Sequence, residues 1–351
     1  MRLFCYKAKC GDAFHLQYIG KSGVRHNIFL DMGFAITYDS IIKPVIISLN
    51  EKSECLDAIF LSHIHNDHIG GANKFINDIK NDKSLNGLVK RWVYNAPRKY
   101  EFSNDGNYTD GAECGIISGD KIYEFISSNN PSDLMDYVTG CSFEIDGMRV
   151  ILVSPNTDKL EILRNKYANG RPLCIEETNE ISAEAGAFED DYHIPLPELD
   201  IGSFTEDSSI ENSSSIAAIF EYNEKRILWL ADSIPSVVEN SLVQMGFSET
   251  NRMKCDAVIL SHHGSSSNNS ATLFRMIDSD KYIISADGVN RYCLPHKITV
   301  ARVIAASSNP VSIYFNYCDG RLPRMFAIDN ENANINMMNI IYLHDCEGIE
   351  L

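Results

Sequence analysis

The sequence predicts an α/β fold, a four-layer αββα sandwich made by a single domain over residues 1–351, with an acidic insertion around 176–211. Three observations carry that prediction. Short buried-strand runs alternate with helical patterns in two successive halves, as expected of two sheets each backed by helices. Histidines and aspartates gather where those strands end: His63, His65, Asp67 and His68 after one, Asp232 after another, His262 and His263 after a third. A chain of 351 residues, 44 % of them apolar, has enough material for one large core.

The elements follow in order. Residues 3–19 read as strand, turn and strand, with the turn at Cys10-Gly11-Asp12. Gly20-Lys21-Ser22-Gly23 has the outline of a phosphate loop, but His15 stands where its first glycine is required, so a hairpin turn is expected. A strand from Asn27 ends in Asp31, followed by Met32 and Gly33; Leu56 to Leu61 is an apolar run of buried-strand type. After Gly70-Gly71, a helix over Ala72 to Lys80 is expected from Phe75, Ile76 and Ile79, so the cluster from His63 to His68 falls on a strand-to-helix loop. Strands follow at 90–94 and 148–153, with helices beginning within 119–126 and 131–138.

In the second half, Ile216 to Tyr222 and Arg226 to Leu230 form two strands around Asn223-Glu224. Pro235 opens an amphipathic helix through Val237, Val238, Leu242 and Met245. Cys255 to Leu260 is a buried strand running into Ser261-His262-His263-Gly264-Ser265, and Lys281 to Ser285 is another. A hairpin of 311–315 with 325–328 and a strand at 339–343 complete the reading.

Charge and composition narrow the class. The net charge of −17 argues against a polyanionic partner. However, 176–211 holds twelve acidic residues and no Lys or Arg, and without it the charge is about −5. That segment, with Pro195 and Pro197 and few aromatics, reads as an inserted loop, either solvated surface or an acidic lid or docking site that would order against a basic protein partner. No run of 18 apolar residues occurs, so no membrane span is expected. Met1 leads straight into a strand pattern without an apolar signal region, and ten scattered cysteines form no C-x-x-C pair. A reducing, cytoplasmic setting is therefore the expectation.

The cluster has a chemical reading. His63, His65 and Asp67 alternate, so in an extended segment they share a side, while His68 turns toward the helix. Imidazole and carboxylate are the ligands of borderline and hard divalent ions, and four of them suit two adjacent ions. His262 and His263, followed by glycine and serine, can bind a metal and an oxyanion together. In an extended turn neighbouring side chains diverge, which makes His262 a metal ligand and His263 a substrate contact.

The motif His63-x-His65-x-Asp67-His68 resembles the signature of the metallo-β-lactamase-fold hydrolases. Gly11-Asp12-Ala13, Asp31-Met32-Gly33, His63 to Gly71, Asn212 to Ser215, Asp232, His262 to Ser265 and Asn290 to His296 extend the likeness over residues 5–320. In that order they look like the hydrolase domain of the ComEC competence proteins, the bacterial DNA-uptake channels, and its soluble relatives. Two positions depart: Ala231 stands where a glycine is usual before the aspartate, and Cys293-Leu294-Pro295 separates Tyr292 from His296.

The resemblance implies the αββα fold and two divalent ions, zinc by default or manganese because carboxylates contribute. His63 and His65 would hold one ion, Asp67 and His68 the other, and Asp232 both, with His262 or His296 completing the second site. Asp31 would orient a ligand histidine from behind. His263 and Ser265 would meet the substrate oxyanion, and Asn290, Arg291 and Lys297 the phosphate; Asp67, His263 and His296 form the catalytic set. His193 is the one candidate for a ligand from the middle region, because no histidine occurs from 69 to 192. The implied activity is hydrolysis of a nucleic-acid phosphodiester through a hydroxide held between the metals. A small-molecule phosphodiester or ester, of nucleotide or phosphorylcholine type, is the second reading, and a non-catalytic metal-binding sensor the third.

Overall fold

The computed structural model describes residues 1–98, 115–168, 190–290, 292–329, 336–344 and 347–351. Its strands are β1 (Arg2–Cys5), β2 (Phe14–Ile19), β3 (Arg25–Leu30), β4 (Ala58–Leu61), β5 (Trp92–Tyr94), β6 (Ser142–Ile145), β7 (Met148–Ser154), β8 (Ala217–Tyr222), β9 (Lys225–Trp229), β10 (Met253–Lys254), β11 (Ala257–Ile259), β12 (Ile277–Asp278), β13 (Lys281–Ile284), β14 (Val311–Phe315), β15 (Met338–Tyr342) and β16 (Gly348–Glu350). They form a six-stranded sheet in the order β16-β1-β2-β3-β4-β5 and an eight-stranded sheet in the order β15-β14-β13-β11-β9-β8-β7-β6, with β10 and β12 paired separately.

Alternation along the strands sorts side chains into the layers. In the first sheet Ile28, Leu30, Ala58 and Phe60 face the second sheet, where they meet Phe220 and Trp229 in one core. The intervening Phe29, Ile59 and Leu61 face the other way, onto Ile69, Phe75 and Ile76 of the helix Asn66–Asn81. In the second sheet Ile219, Leu228, Val258 and Ile284 turn outward onto Val238 and Leu242 of the helix Pro235–Gln244 and Val300 and Val303 of the helix Lys297–Ala306. Three apolar layers between two sheets and two helical faces make the αββα sandwich. β4 and β11, parallel-paired on both sides, are buried throughout, which explains their uninterrupted apolar runs.

Several elements differ from the sequence reading. The helix after the first cluster begins at Asn66 rather than Ala72, with His65 as its N-cap residue. Asp67 and His68 therefore sit on its first turn, not on a loop. Gly115–Asn129 is one helix, while only a 3₁₀ turn, Pro131–Asp133, forms in the next stretch. Residues 325–328 are not a strand: β14 is parallel to both β13 and β15, and 327–329 form a turn. The alternating pattern of β14 does not say which neighbour it pairs with, and its partner comes later in the chain. β16 then crosses to the first sheet and pairs with β1.

The acidic segment also differs in part. Residues 176–189 lie outside the described residues, but 190–211 packs on its own chain, with Tyr192, Leu196 and Leu199 buried. Two of its carboxylates meet backbone N–H groups, and Glu211 pairs with Lys166. Asp191 accepts from the N–H groups of Lys297 and Ile298 at 2.7 and 2.8 Å, and Glu206 from that of Ser236 at 2.8 Å, in each case at the start of a helix. His193 is exposed and bonds the carbonyl of Asp190, away from any ligand group.

Backbone-to-backbone contact fixes the helix Asn66–Asn81 on the loop after β3. The N–H of Met32 donates to the His68 carbonyl (2.9 Å) and that of Gly71 to the Gly33 carbonyl (2.8 Å). A Cβ on Gly71 would lie 2.2 Å from the Met32 carbonyl oxygen. Gly71→Ala is thus expected to lower stability by about 1–3 kcal/mol, as overpacking does, measured by denaturant unfolding. An unchanged midpoint would show that the helix can shift at no penalty.

Candidate metal centre

Both sheets deliver their functional residues at the carboxyl ends of parallel strands, where α/β folds place their sites. β3 ends at Asp31, β4 leads through Ser62 to His63, β9 leads to Asp232, and β11 leads to His262 and His263. The halves are joined there: the N–H of Ile216 donates to the Ser62 carbonyl (2.9 Å), and the Ser285 hydroxyl to that of Gly11 (2.8 Å).

Three groups of ligand-type atoms result among the described residues, each with its atoms within 4.8 Å of one another: His63, His68 and Asp232; Asp67, His68 and His263; and Asp12, Asp31 and His68. His68 Nε2 lies 3.4 Å from Asp232 Oδ2 and 3.9 Å from Asp67 Oδ2. His63 Nε2 is 3.7 Å from Asp232 Oδ2 and 2.9 Å from His65 Nδ1. His262 Nε2 is 3.7 Å from Asp232 Oδ2, and His263 Nε2 is 3.7 Å from Asp67 Oδ2.

The opposite side of each ring is held by the protein. Asp31, buried and at a positive φ of 56°, accepts from His68 Nδ1 at 2.7 Å and from both the N–H and the hydroxyl of Ser62 at 2.8 and 2.7 Å. The Ser62 oxygen also lies 3.0 Å from His63 Nδ1. Asn268 Oδ1 is 2.9 Å from His262 Nδ1, and its amide donates to Asp207 at 3.0 Å. The His263 Nδ1 donates to the Ser285 carbonyl at 3.0 Å. Asp207, Asn268, Ser62 and Ser285 were not singled out by the sequence; only the Asn268-Asn269 pair just after the second histidine cluster offered a signal.

Several expectations change here. Both His262 and His263 turn their Nε2 atoms toward the carboxylates, because both residues adopt left-handed backbone (φ 46° and 54°) rather than an extended turn. His263 is the more buried of the two and stands among ligand-type groups, not as a substrate contact. His296 has its two ring nitrogens engaged, by the Ser266 N–H at 3.0 Å and the Tyr292 carbonyl at 3.1 Å, so it completes neither group. Lys297 cannot contact phosphate: it is fully buried, with Nζ 2.5 Å from Asp329 and 2.7 Å from the Ile194 carbonyl. The Asn290 amide closes its own loop onto the carbonyl and N–H of Leu294 (2.8 and 2.9 Å), and Ser265 is buried. Arg291 lies outside the described residues.

The electrostatics show what the centre lacks. Burial would make His68 less basic, but Asp232, Asp31 and Asp67 outweigh it and hold its pKa well above the usual value. His263 behaves alike under Asp12, Asp67 and Asp232. Burial would raise Asp232 and Asp67, but the histidines outweigh it and hold both carboxyls below their usual range. His63 is pushed down by burial and by His68 and His65, which outweigh Asp232 and Asp67. His68 Nε2, His263 Nε2 and Asp232 Oδ1 are buried with no hydrogen-bond partner. Unpartnered buried polar atoms are unfavourable, and these converge with carboxylates around them. A divalent cation fits that donor set, which combines imidazole and carboxylate.

Protons and metal therefore compete. The raised pKa values of His68 and His263 stabilise the metal-free fold fully below about pH 6.5, and that contribution is lost as pH rises through the higher folded values. Zinc binding must displace those protons. Calorimetric titration at neutral pH is expected to show proton release on zinc binding and an affinity that rises with pH; binding without proton release would contradict the assignment. Asp31→Asn, which weakens the hold on His68 Nδ1, is expected to lower zinc affinity by about 10–100-fold, read by competition with a chelator. Wild-type affinity in that variant would remove Asp31 from the account.

Residues 24–148 match the family model of the metallo-beta-lactamase superfamily. With the sandwich and the residues at its edge, the chain has the metallo-β-lactamase fold. No curated protein matches its sequence. Among solved structures it is similar to Zn(2+)-bound PqqB from Methylobacterium extorquens, at 10 % identity and a TM-score of 0.42, over 97 % of this chain and 87 % of that one. A diphosphatase from the PhnP family aligns at 13 % identity and a TM-score of 0.37, over 97 % and 84 %. A long form RNase Z from yeast aligns at 12 % identity and a TM-score of 0.34, over 82 % of this chain but 37 % of that one. No helix among the described residues is long and apolar enough to cross a membrane. Cys5, Cys10, Cys55, Cys141, Cys255 and Cys318 are free thiols.

Proposed function

We propose that the protein is a phosphodiesterase working with two divalent ions, zinc or manganese, and that nucleic acid is its substrate. The observation that supports this reading is the pair of ligand groups that join His68 to Asp232 and to Asp67, with buried nitrogens and a carboxylate oxygen lacking other partners. His63, His65 and Asp232 would hold one ion, Asp67, His68 and His263 the other, with Asp232 facing both and His262 beside it. Such ions lower the pKa of water to about 7 and polarise a phosphoryl oxygen.

The chain's own residues do the rest. Asp31 and Ser62 fix the rings of His68 and His63. Asn268, held by Asp207, fixes His262. The sheets exclude water from one side, while His65, Asp67 and His262, only half-buried, leave the other open to substrate.

A specific observation favours a small diester as the second reading. A nuclease needs cations along the path of its substrate, yet near the site Lys297 is paired with Asp329. Arg302 donates to the carbonyls of Ile201, Ser203, Ser266 and Asn269. Hydrolysis of single-stranded DNA, RNA and bis-p-nitrophenyl phosphate with Zn²⁺ or Mn²⁺ separates the readings. Cleavage of the polymers is expected. Turnover of the small diester alone would select the second reading, and no hydrolysis with metal bound would point to a sensor.

A further inference from the structure

The loop from Tyr6 to Ala13 joins β1 to β2 and crosses to the second sheet. Asn316 donates to the Tyr6 carbonyl at 2.9 Å and Ser285 to the Gly11 carbonyl at 2.8 Å. Gly11 passes so close to the helix Asn66–Asn81 that a Cβ there would lie 2.2 Å from the Asp67 carbonyl oxygen. Asp12 follows, its N–H donating to that same carbonyl at 3.1 Å and its own carbonyl accepting from Gly33 at 2.8 Å.

This threading inserts the Asp12 side chain between the halves, 1 % exposed. Its Oδ1 lies 3.2 Å from His263 Nδ1, whose N–H is taken by the Ser285 carbonyl, and neither carboxylate oxygen has a hydrogen-bond partner among the described residues. A buried carboxylate without a hydrogen-bond partner, with His263 beside it and Asp31 and His68 within 4.8 Å, is unfavourable for folding alone, since desolvation is poorly offset. The same arrangement is useful behind a metal-ligating histidine, where a carboxylate fixes the ring and strengthens its donor nitrogen. On the first half Asp31 likewise stands behind the Nδ1 of His68, there at 2.7 Å and with a hydrogen bond.

We infer that Asp12 is a positioning residue for His263, orienting its Nε2 toward the ion beside Asp67. Each half then contributes a histidine backed by a buried carboxylate, and the Gly11-Asp12 turn ties the second to the first sheet. This rests on the two-ion reading of the centre.

The test is Asp12→Asn, which keeps the shape and removes the charge. Zinc affinity is read by chelator competition, the coordination spectrum with Co²⁺, and the melting temperature without metal. One of the two zinc ions should bind about 10–100-fold more weakly, with the other unchanged. The spectrum should change for one of two Co²⁺ ions, and the metal-free melting temperature should hold. Wild-type affinity for both ions overturns the inference. So does a variant that fails to fold, or one that loses both ions together with a lower metal-free melting temperature, since either marks a structural residue. Because affinity is read without substrate, wild-type protein that binds two zinc ions but cleaves no diester would remove the proposed function and leave this inference standing. Wild-type protein that binds no zinc would remove both.

Discussion

Asp232→Ala is expected to abolish diester hydrolysis and to strip metal from the centre while leaving the fold in place. Asp232 lies within 4 Å of three ring nitrogens from both halves: His63 and His68 on the first, His262 on the second. Its loss removes charge from three histidines at once. Removal of one preorganised transition-state contact lowers turnover by about 10²–10³-fold. A carboxylate shared by two ions should exceed that, so activity is expected to fall to background. The fold should persist, because the inter-sheet core of Phe60, Phe220 and Trp229 does not depend on Asp232. Metal analysis and circular dichroism of the variant check both parts. Full activity with two metals per chain would overturn the assignment.

Lys297→Met is expected to give the largest loss of stability with the smallest change in chemistry. Lys297 and Asp329 are both fully buried, and their ion pair ties the helix Lys297–Ala306 to the turn at 327–329. Asp329 also accepts from the Leu196 N–H at 2.8 Å, so the pair anchors the acidic segment as well. Removing one partner of a buried pair leaves an uncompensated charge and is destabilising by about 3–5 kcal/mol. The urea midpoint should fall accordingly, while the protein still folded at low temperature keeps its zinc and its turnover of a small diester. If Lys297 met the substrate phosphate instead, KM would rise with stability unchanged.

The two readings of Lys297 show where the sequence stopped being informative. A lysine next to a histidine motif looks like a phosphate contact, and nothing local reveals that Asp329, thirty-two positions on, will be buried against it. His262 and His263 failed for a backbone reason: two successive left-handed residues cannot be read from Ser-His-His-Gly-Ser. His296 failed because its distance from Tyr292 in sequence does not say which atoms its ring will meet. By contrast, the strands of the sandwich were legible because burial on both faces demands continuous apolar runs, as at β4 and β11. The first cluster was legible because the spacing His63-x-His65-x-Asp67-His68 has few other uses. The packing of residues 190–211 was not legible because composition counts charges but not the helix N-termini that Asp191 and Glu206 would meet.

The account's central claim is that these residues form a two-ion centre, and its most direct test is calorimetric titration of metal-depleted protein with Zn²⁺. The account predicts two equivalents bound per chain, and fewer in His68→Ala, because His68 Nε2 is assigned to one of the two ions with Asp67 and His263. One equivalent or none in the wild type, or two at unchanged affinity in His68→Ala, would contradict it.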